Sequence, residues 1–143
     1  MFNLTGSCHC GNIHVDVTLT RAPDEYTPRE CDCKFCRKHG ASYISDPSGS
    51  LVISVNNKDL LRKYRQGSRI ADMIFCSNCG VLVGAICQTE DHFIAALNIK
   101  IINGDITFGV GKPVSSKALS ADQKVPRWKK LWFSNVQFDP SAT

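Results

Sequence analysis

The sequence predicts a mainly β protein with little helix, and three observations carry that expectation. Over residues 12–20 the apolar residues Ile13, Val15, Val17 and Leu19 alternate with Asn12, His14, Asp16 and Thr18, the period of a strand that buries one face. Beyond it, short apolar runs recur between clusters of Gly, Pro, Asn, Asp and Ser, as in many short strands joined by turns. Two cysteine pairs sit where such runs begin, Cys8-His9-Cys10-Gly11 before the first and Cys76-Ser77-Asn78-Cys79-Gly80 before Val81-Leu82-Val83. With 143 residues, 43% hydrophobic and 21% charged, the chain fits one domain over 1–143 and can bury a core without help.

Taken in order, residues 21–28 hold Pro23 and Pro28, which fix φ and remove backbone donors, so no regular element is expected there. Cys36-Arg37-Lys38-His39-Gly40 reads as a short helical turn stopped by its glycine. Asp46-Pro47-Ser48-Gly49-Ser50 reads as a turn and residues 51–55 as a strand. Residues 57–61 read as a loop or helical turn, followed by a strand around 62–64. Residues 69–76 run extended into the second cysteine pair and 81–87 return from it, which places that pair at a hairpin tip. Residues 93–101 are strand-like, though Ala95, Ala96 and Leu97 also permit helix. Asn103-Gly104-Asp105 marks a turn before Ile106-Thr107-Phe108. The polar stretch 112–127, interrupted by Pro113 and Pro126, predicts an irregular tail, tied back where Trp128, Leu131, Trp132 and Phe133 bury aromatic and apolar area. The motif-bearing core thus spans about 4–110 and the tail about 112–143.

Seven of the eight cysteines fall into three clusters: Cys8 and Cys10; Cys31, Cys33 and Cys36; Cys76 and Cys79. On an extended backbone a Cys-x-Cys pair directs both sulfurs to one side. In Cys-x-x-Cys-Gly the turn gathers two thiolates and the glycine supplies a positive φ. The two pairs together make four thiolates, enough for a closed tetrahedral zinc that pins two distant hairpins. Cys31-Asp32-Cys33-Lys34-Phe35-Cys36 packs three more into six residues, leaving one coordination position for water or a small-molecule thiol. A fourth protein ligand from Cys87, His39, Asp32 or His92 would instead close that site. Cys87, within an apolar run, reads better as a small buried hydrophobe. His9 should point away from the flanking sulfurs and His14 towards solvent, whereas Arg37 and His39 are placed either beside the open site or in solvent.

Composition excludes several classes of function. No apolar run approaches the roughly 20 residues that span a bilayer, and residues 1–6 lack the basic-then-apolar pattern of an export signal. A cytoplasmic location is expected, and cysteines spaced like metal clips argue against disulfides. The formal charge of +4 falls to +1 once seven thiolates hold two divalent zinc ions, so no nucleic-acid partner is expected.

With these residues placed, the chain resembles the family of glutathione-dependent formaldehyde-activating enzymes, which also includes centromere protein V. Gly6-Ser7-Cys8-His9-Cys10-Gly11, Cys31-Asp32-Cys33-Lys34-Phe35-Cys36-Arg37-Lys38 and Phe75-Cys76-Ser77-Asn78-Cys79-Gly80 carry the resemblance, in order, spacing and separation. It implies a β-tent of folded antiparallel sheets stapled by a structural zinc on Cys8, Cys10, Cys76 and Cys79. A second, catalytic zinc is implied on Cys31, Cys33 and Cys36, giving two Zn2+ per chain. The implied activity is that of a carbon–sulfur lyase, condensing formaldehyde with a thiol such as glutathione to S-hydroxymethylglutathione. Arg37, Lys38 and His39 are the candidate substrate contacts, with Arg37 or Lys38 pairing a substrate carboxylate. The competing reading is a non-enzymatic zinc module for a protein partner, on a scaffold that also serves binding roles.

Overall fold

The structure is a computed structural model that describes residues 1–115 and 119–139. Two sheets make the body. The first has four strands in the order β1 (Phe2–Ser7), β2 (Ile13–Leu19), β5 (Ser50–Val55) and β11 (Asn135–Phe138). The second has seven: β10 (Lys112–Val114), β3 (Arg29–Cys31), β4 (Tyr43–Ile44), β9 (Phe93–Asn98), β8 (Leu82–Gln88), β7 (Asp72–Cys76) and β6 (Leu61–Tyr64). Pairing is antiparallel except where β11 joins β5 and β10 joins β3. Helix is confined to α1 (Lys34–His39), α2 (Ala121–Leu131) and three single 3-10 turns, so the expected mainly β class is what forms. Among the described residues no helix is long and apolar enough to cross a membrane.

β2 shows how the alternating pattern becomes structure. Ile13, Val15, Val17 and Leu19 are all at most 1% exposed while Asp16 faces solvent and His14 is half-buried. Each such side chain contributes about 2 kcal/mol by leaving water. They pack between the two sheets with Leu51, Ile74, Val83, Leu97 and Phe133. The seven-stranded sheet is covered on its other face as well. There Tyr43, Met73, Ala85, Ile94, Ala96 and Trp132 form a second core, with Val125 and Trp128 of the α2 region packed against it. Burial on both faces is why residues 81–87 read as an unbroken apolar run, where β2 alternates. An irregularity where β7 meets β8, between Ile74 and Phe75, shifts the alternation of β8, so that Leu82 and Ala85, three apart, join the same core while Val83 joins the other.

Asp46 holds the turn before β5 against the proline-containing segment after β2. Its carboxylate accepts hydrogen bonds from the Thr20 amide (2.9 Å) and hydroxyl (2.7 Å), the Ser48 amide (2.9 Å) and the Tyr26 hydroxyl (2.5 Å). Burial pushes this carboxyl up, but the four donors outweigh it and bring it down to about 2.

The tail corrects the expectation of irregular structure over 112–127, of which 116–118 lie outside the described residues. Residues 112–114 form β10 and residues from Ala121 form α2, through Pro126. Proline there removes one intrahelical donor and crowds the preceding turn. Two features offset that cost. Ser120 and Gln123 form a capping box, the Gln123 amide donating to Ser120 Oγ (3.3 Å) and the Ser120 amide to Gln123 Oε1 (2.9 Å). The helix also sets Val125, Trp128 and Trp132 on the second core, the two indoles stacking at 4.4 Å between centroids. Phe133, fully buried, exchanges backbone hydrogen bonds with Ala95 (2.9 and 3.1 Å) and ties the tail to β9. Leu131, expected among the buried anchors, stays 37% exposed.

Candidate metal centres and cavity

The turn between β1 and β2 carries Cys8 and Cys10. The pair is therefore not on extended backbone: the turn, closed by a Gly11 amide to Cys8 carbonyl bond (3.1 Å), brings the sulfurs together, rather than the pleat. Cys76 ends β7, and the hairpin tip after it is closed by the Gly80 amide donating to the Cys76 carbonyl (2.7 Å), with Gly80 at φ 77°. The four sulfurs of Cys8, Cys10, Cys76 and Cys79 lie within 4.8 Å of one another. Cys8 Sγ is 3.8 Å from Cys10 Sγ, which is 3.6 Å from Cys76 Sγ. Four thiolates at about 2.3 Å from a central zinc would be separated by about 3.8 Å, so this set fits that ion. Cys8 and Cys76 are buried in the core between the sheets, and Cys10 is at the surface. His9 is exposed and outside the cluster.

The second cluster forms where β3 passes into α1. Cys31 is the last residue of β3, Cys33 is the N-cap of α1 and Cys36 lies in its first turn. Cys33 Sγ accepts from the Cys36 amide at 3.4 Å, and Gly40 at φ 61° stops the helix. All three sulfurs lie within 4.8 Å of one another, and among the described residues neither Cys87, His39, Asp32 nor His92 joins them. Instead the Tyr43 hydroxyl sits 3.2 Å from Cys36 Sγ, and Gln66 Nε2 is 3.9 Å from Cys33 Sγ. Cys87 is a buried thiol whose pKa burial raises.

The thiols of each cluster cannot all ionise together unaided. Hydrogen bonds led by that from Asn78 bring Cys10 down to about 6, while burial pushes Cys8 up to about 11. Likewise a hydrogen bond from Cys36 brings Cys31 down to about 6, whereas Cys36 itself is pushed up, first by that same bond and then by burial. A cation at the centre of each group removes the repulsion and lets every sulfur ligate as thiolate. Both donor sets therefore can hold a metal ion.

The second cluster opens onto a cavity. A space of about 500 Å³ is lined by Cys31, Cys33 and Cys36, by apolar Met73, Ala85 and Ala96, and by Trp128 and Trp132 of the α2 region. Three cations border it: Arg29, Lys124 and Arg127. Lys124 is 8% exposed with its Nζ 3.2 Å from Ser68 Oγ, and Arg29 donates to Ser45 Oγ at 2.7 Å. Burial, then the nearby Arg127 charge, lowers the Arg29 pKa. Among the described residues the one ion pair joins Arg65 to Asp72 at 2.8 Å, so none of these three cations has a carboxylate partner there.

Arg37, Lys38 and His39 stand elsewhere. All three are exposed on α1 and none borders the cavity; His39 packs against the Phe35 ring at 4.6 Å between centroids. The cations that border it, and Tyr43, went unread in the sequence as site residues. Arg29 stands two residues before the Cys31 motif with no pattern of its own, and Tyr43 lies in a two-residue strand. Lys124 and Arg127 lay in a stretch where Pro126 masked the helix, although Ser120-x-x-Gln123 was a usable signal of it.

Residues 3–107 match the family described as glutathione-dependent formaldehyde-activating enzyme. No curated protein matches the chain significantly. Among solved structures, the chain is similar to a Rhodobacter sphaeroides protein determined in a structural-genomics programme, with 30% identity and a TM-score of 0.55, covering 71% of this chain and 89% of that one. The three cysteine motifs, their assembly into a four-thiol and a three-thiol group, and the match over most of the chain lead to one conclusion: this protein belongs to the glutathione-dependent formaldehyde-activating enzyme family.

Proposed function

We propose that the protein is a zinc enzyme of the carbon–sulfur lyase type, condensing a small aldehyde, formaldehyde, with a thiol such as glutathione at the three-cysteine site. One observation carries the reading: three thiols with no fourth protein ligand among the described residues form one side of a cavity of about 500 Å³. In this reading Cys8, Cys10, Cys76 and Cys79 hold a structural zinc, and Cys31, Cys33 and Cys36 hold a second one. The second ion, when bound, supplies Lewis acidity and a free coordination position.

The reaction needs no oxidant or reductant. The thiol sulfur bonds to the aldehyde carbon, the C=O π pair moves to oxygen, and the proton lost by the thiol ends on that oxygen. The chain's own part is positioning. With Cys36 ligating as thiolate, the Tyr43 hydroxyl donates to its sulfur and fixes its direction. Met73, Ala85, Ala96 and the two tryptophans displace water from the space in front of the thiols, which strengthens every polar interaction inside it. The thiolate ligands require a reducing compartment, and we place the reaction in the cytoplasm.

The cavity beside the three thiols is what favours an enzyme over a zinc module for a protein partner. The deciding measurement is the rate of hemithioacetal formation from formaldehyde and glutathione, followed by exchange NMR with and without the zinc-loaded protein. Acceleration that Cys33→Ser removes is the expected result; a rate equal to the spontaneous one would sink the proposal.

A further inference from the structure

The geometry assigns to Arg29, Lys124 and Arg127 an anion-binding subsite that selects thiols carrying a carboxylate, with α2 as the element that sets this specificity. The inference rests on the proposed reaction for the role of the three-cysteine site, and adds what its thiol substrate must look like. Three cations border one cavity, two of them largely withdrawn from water. A buried ammonium or guanidinium is stable where hydrogen-bond acceptors and a counter-charge surround it. Here the acceptors are neutral hydroxyls, Ser68 for Lys124 and Ser45 for Arg29, and the ion pair between described residues, Arg65 with Asp72, involves none of the three. A carboxylate entering the cavity would supply the missing charge and accept two guanidinium bonds at once.

The arrangement is unequal in origin. Arg29 belongs to the segment that matches the family, residues 3–107, whereas Lys124 and Arg127 lie beyond it on α2. With three thiols, an apolar lining and three cations around one space, the cavity accommodates a molecule that carries both a thiol and an anionic group, in the size range of small-molecule sites.

The test uses the full-length zinc-loaded protein and two probes that cannot react, S-methylglutathione and its diethyl ester. Trp128 and Trp132 are the only tryptophans in the chain and both line the cavity, so their fluorescence reports occupancy. The acid should bind about tenfold tighter than the ester, and more weakly as salt rises. Arg127→Gln, at an exposed position, should weaken the acid several-fold and leave the ester unchanged. Lys129→Gln, on α2 but off the cavity, should change neither. Equal binding of acid and ester, no binding of the acid, or indifference to Arg127→Gln would overturn the assignment. If the acid preference holds but formaldehyde condensation is not accelerated, the reaction is wrong and the subsite stands; acceleration without acid preference means the reverse.

Discussion

The two cysteine clusters are built from the same ligand, yet they differ in what surrounds them. Cys8, Cys10, Cys76 and Cys79 come from two turns far apart in sequence and meet at the core between the sheets, with four sulfurs. Cys31, Cys33 and Cys36 come from six consecutive residues and meet against the other core, with three sulfurs, a tyrosine hydroxyl and a cavity. Ligands distant in sequence cross-link the fold, because holding an ion requires both hairpins to be in place. Ligands adjacent in sequence constrain only a strand end and a helical turn. An ion held there should therefore be removable without loss of the sheets, as the proposed working site requires.

The largest effect should come from breaking the first cluster. Cys76→Ser removes a fully buried ligand, and the metal-linked stabilisation at stake is on the order of 10 kcal/mol. Circular dichroism should show loss of cooperative unfolding at neutral pH; a native melt would erase the distinction between the clusters. Next is Cys33→Ser, which removes a ligand of the second cluster while serine keeps an N-cap acceptor for α1. It should retain the fold and one zinc by metal analysis, and lose condensation activity by about 100-fold or more. Unfolding of Cys33→Ser would show that the second metal is structural too.

A third substitution separates scaffold from metal. Asp46→Asn weakens four hydrogen bonds far from any cysteine, and should cost on the order of 2 kcal/mol by denaturant titration near neutral pH. The sign follows from a carboxyl held at about 2 in the folded state, below its ordinary value of 3.8. Its stabilisation is complete above about pH 4 and fades as pH falls towards 2, so the gap between wild type and Asp46→Asn should narrow over that window. A gap that widens in acid would contradict the hydrogen-bond account. The smallest effect is expected from Tyr43→Phe, which deletes the hydroxyl beside Cys36. Competition with a chelator should show about tenfold weaker metal binding at the second cluster and unchanged binding at the first.

How much of this could be read in advance depends on sequence distance. The ligand clusters were legible because each motif is local and thiols so spaced have few other uses. β2 was legible because one of its faces is exposed, and residues 81–87 gave a strand without its faces because both are covered. The cavity was not legible. Its cations come from β3 and α2, about a hundred residues apart, and nothing in the pattern near Arg29 announces Lys124. Pro126 outweighed the capping box in a local reading, whereas in the fold the cap and the tryptophan contacts outweigh the proline. Arg37, Lys38 and His39 follow the cysteines directly, and on α1 they are exposed and outside the lining of the cavity.

The central claim is that one cluster is closed and the other keeps a coordination position for a thiol. Cadmium-113 NMR of the protein with both sites exchanged to cadmium tests it most directly. The account predicts two resonances: one in the all-thiolate range that glutathione does not move, and one at lower shift that moves towards that range when glutathione is added. Two all-thiolate resonances, both indifferent to glutathione, would contradict it.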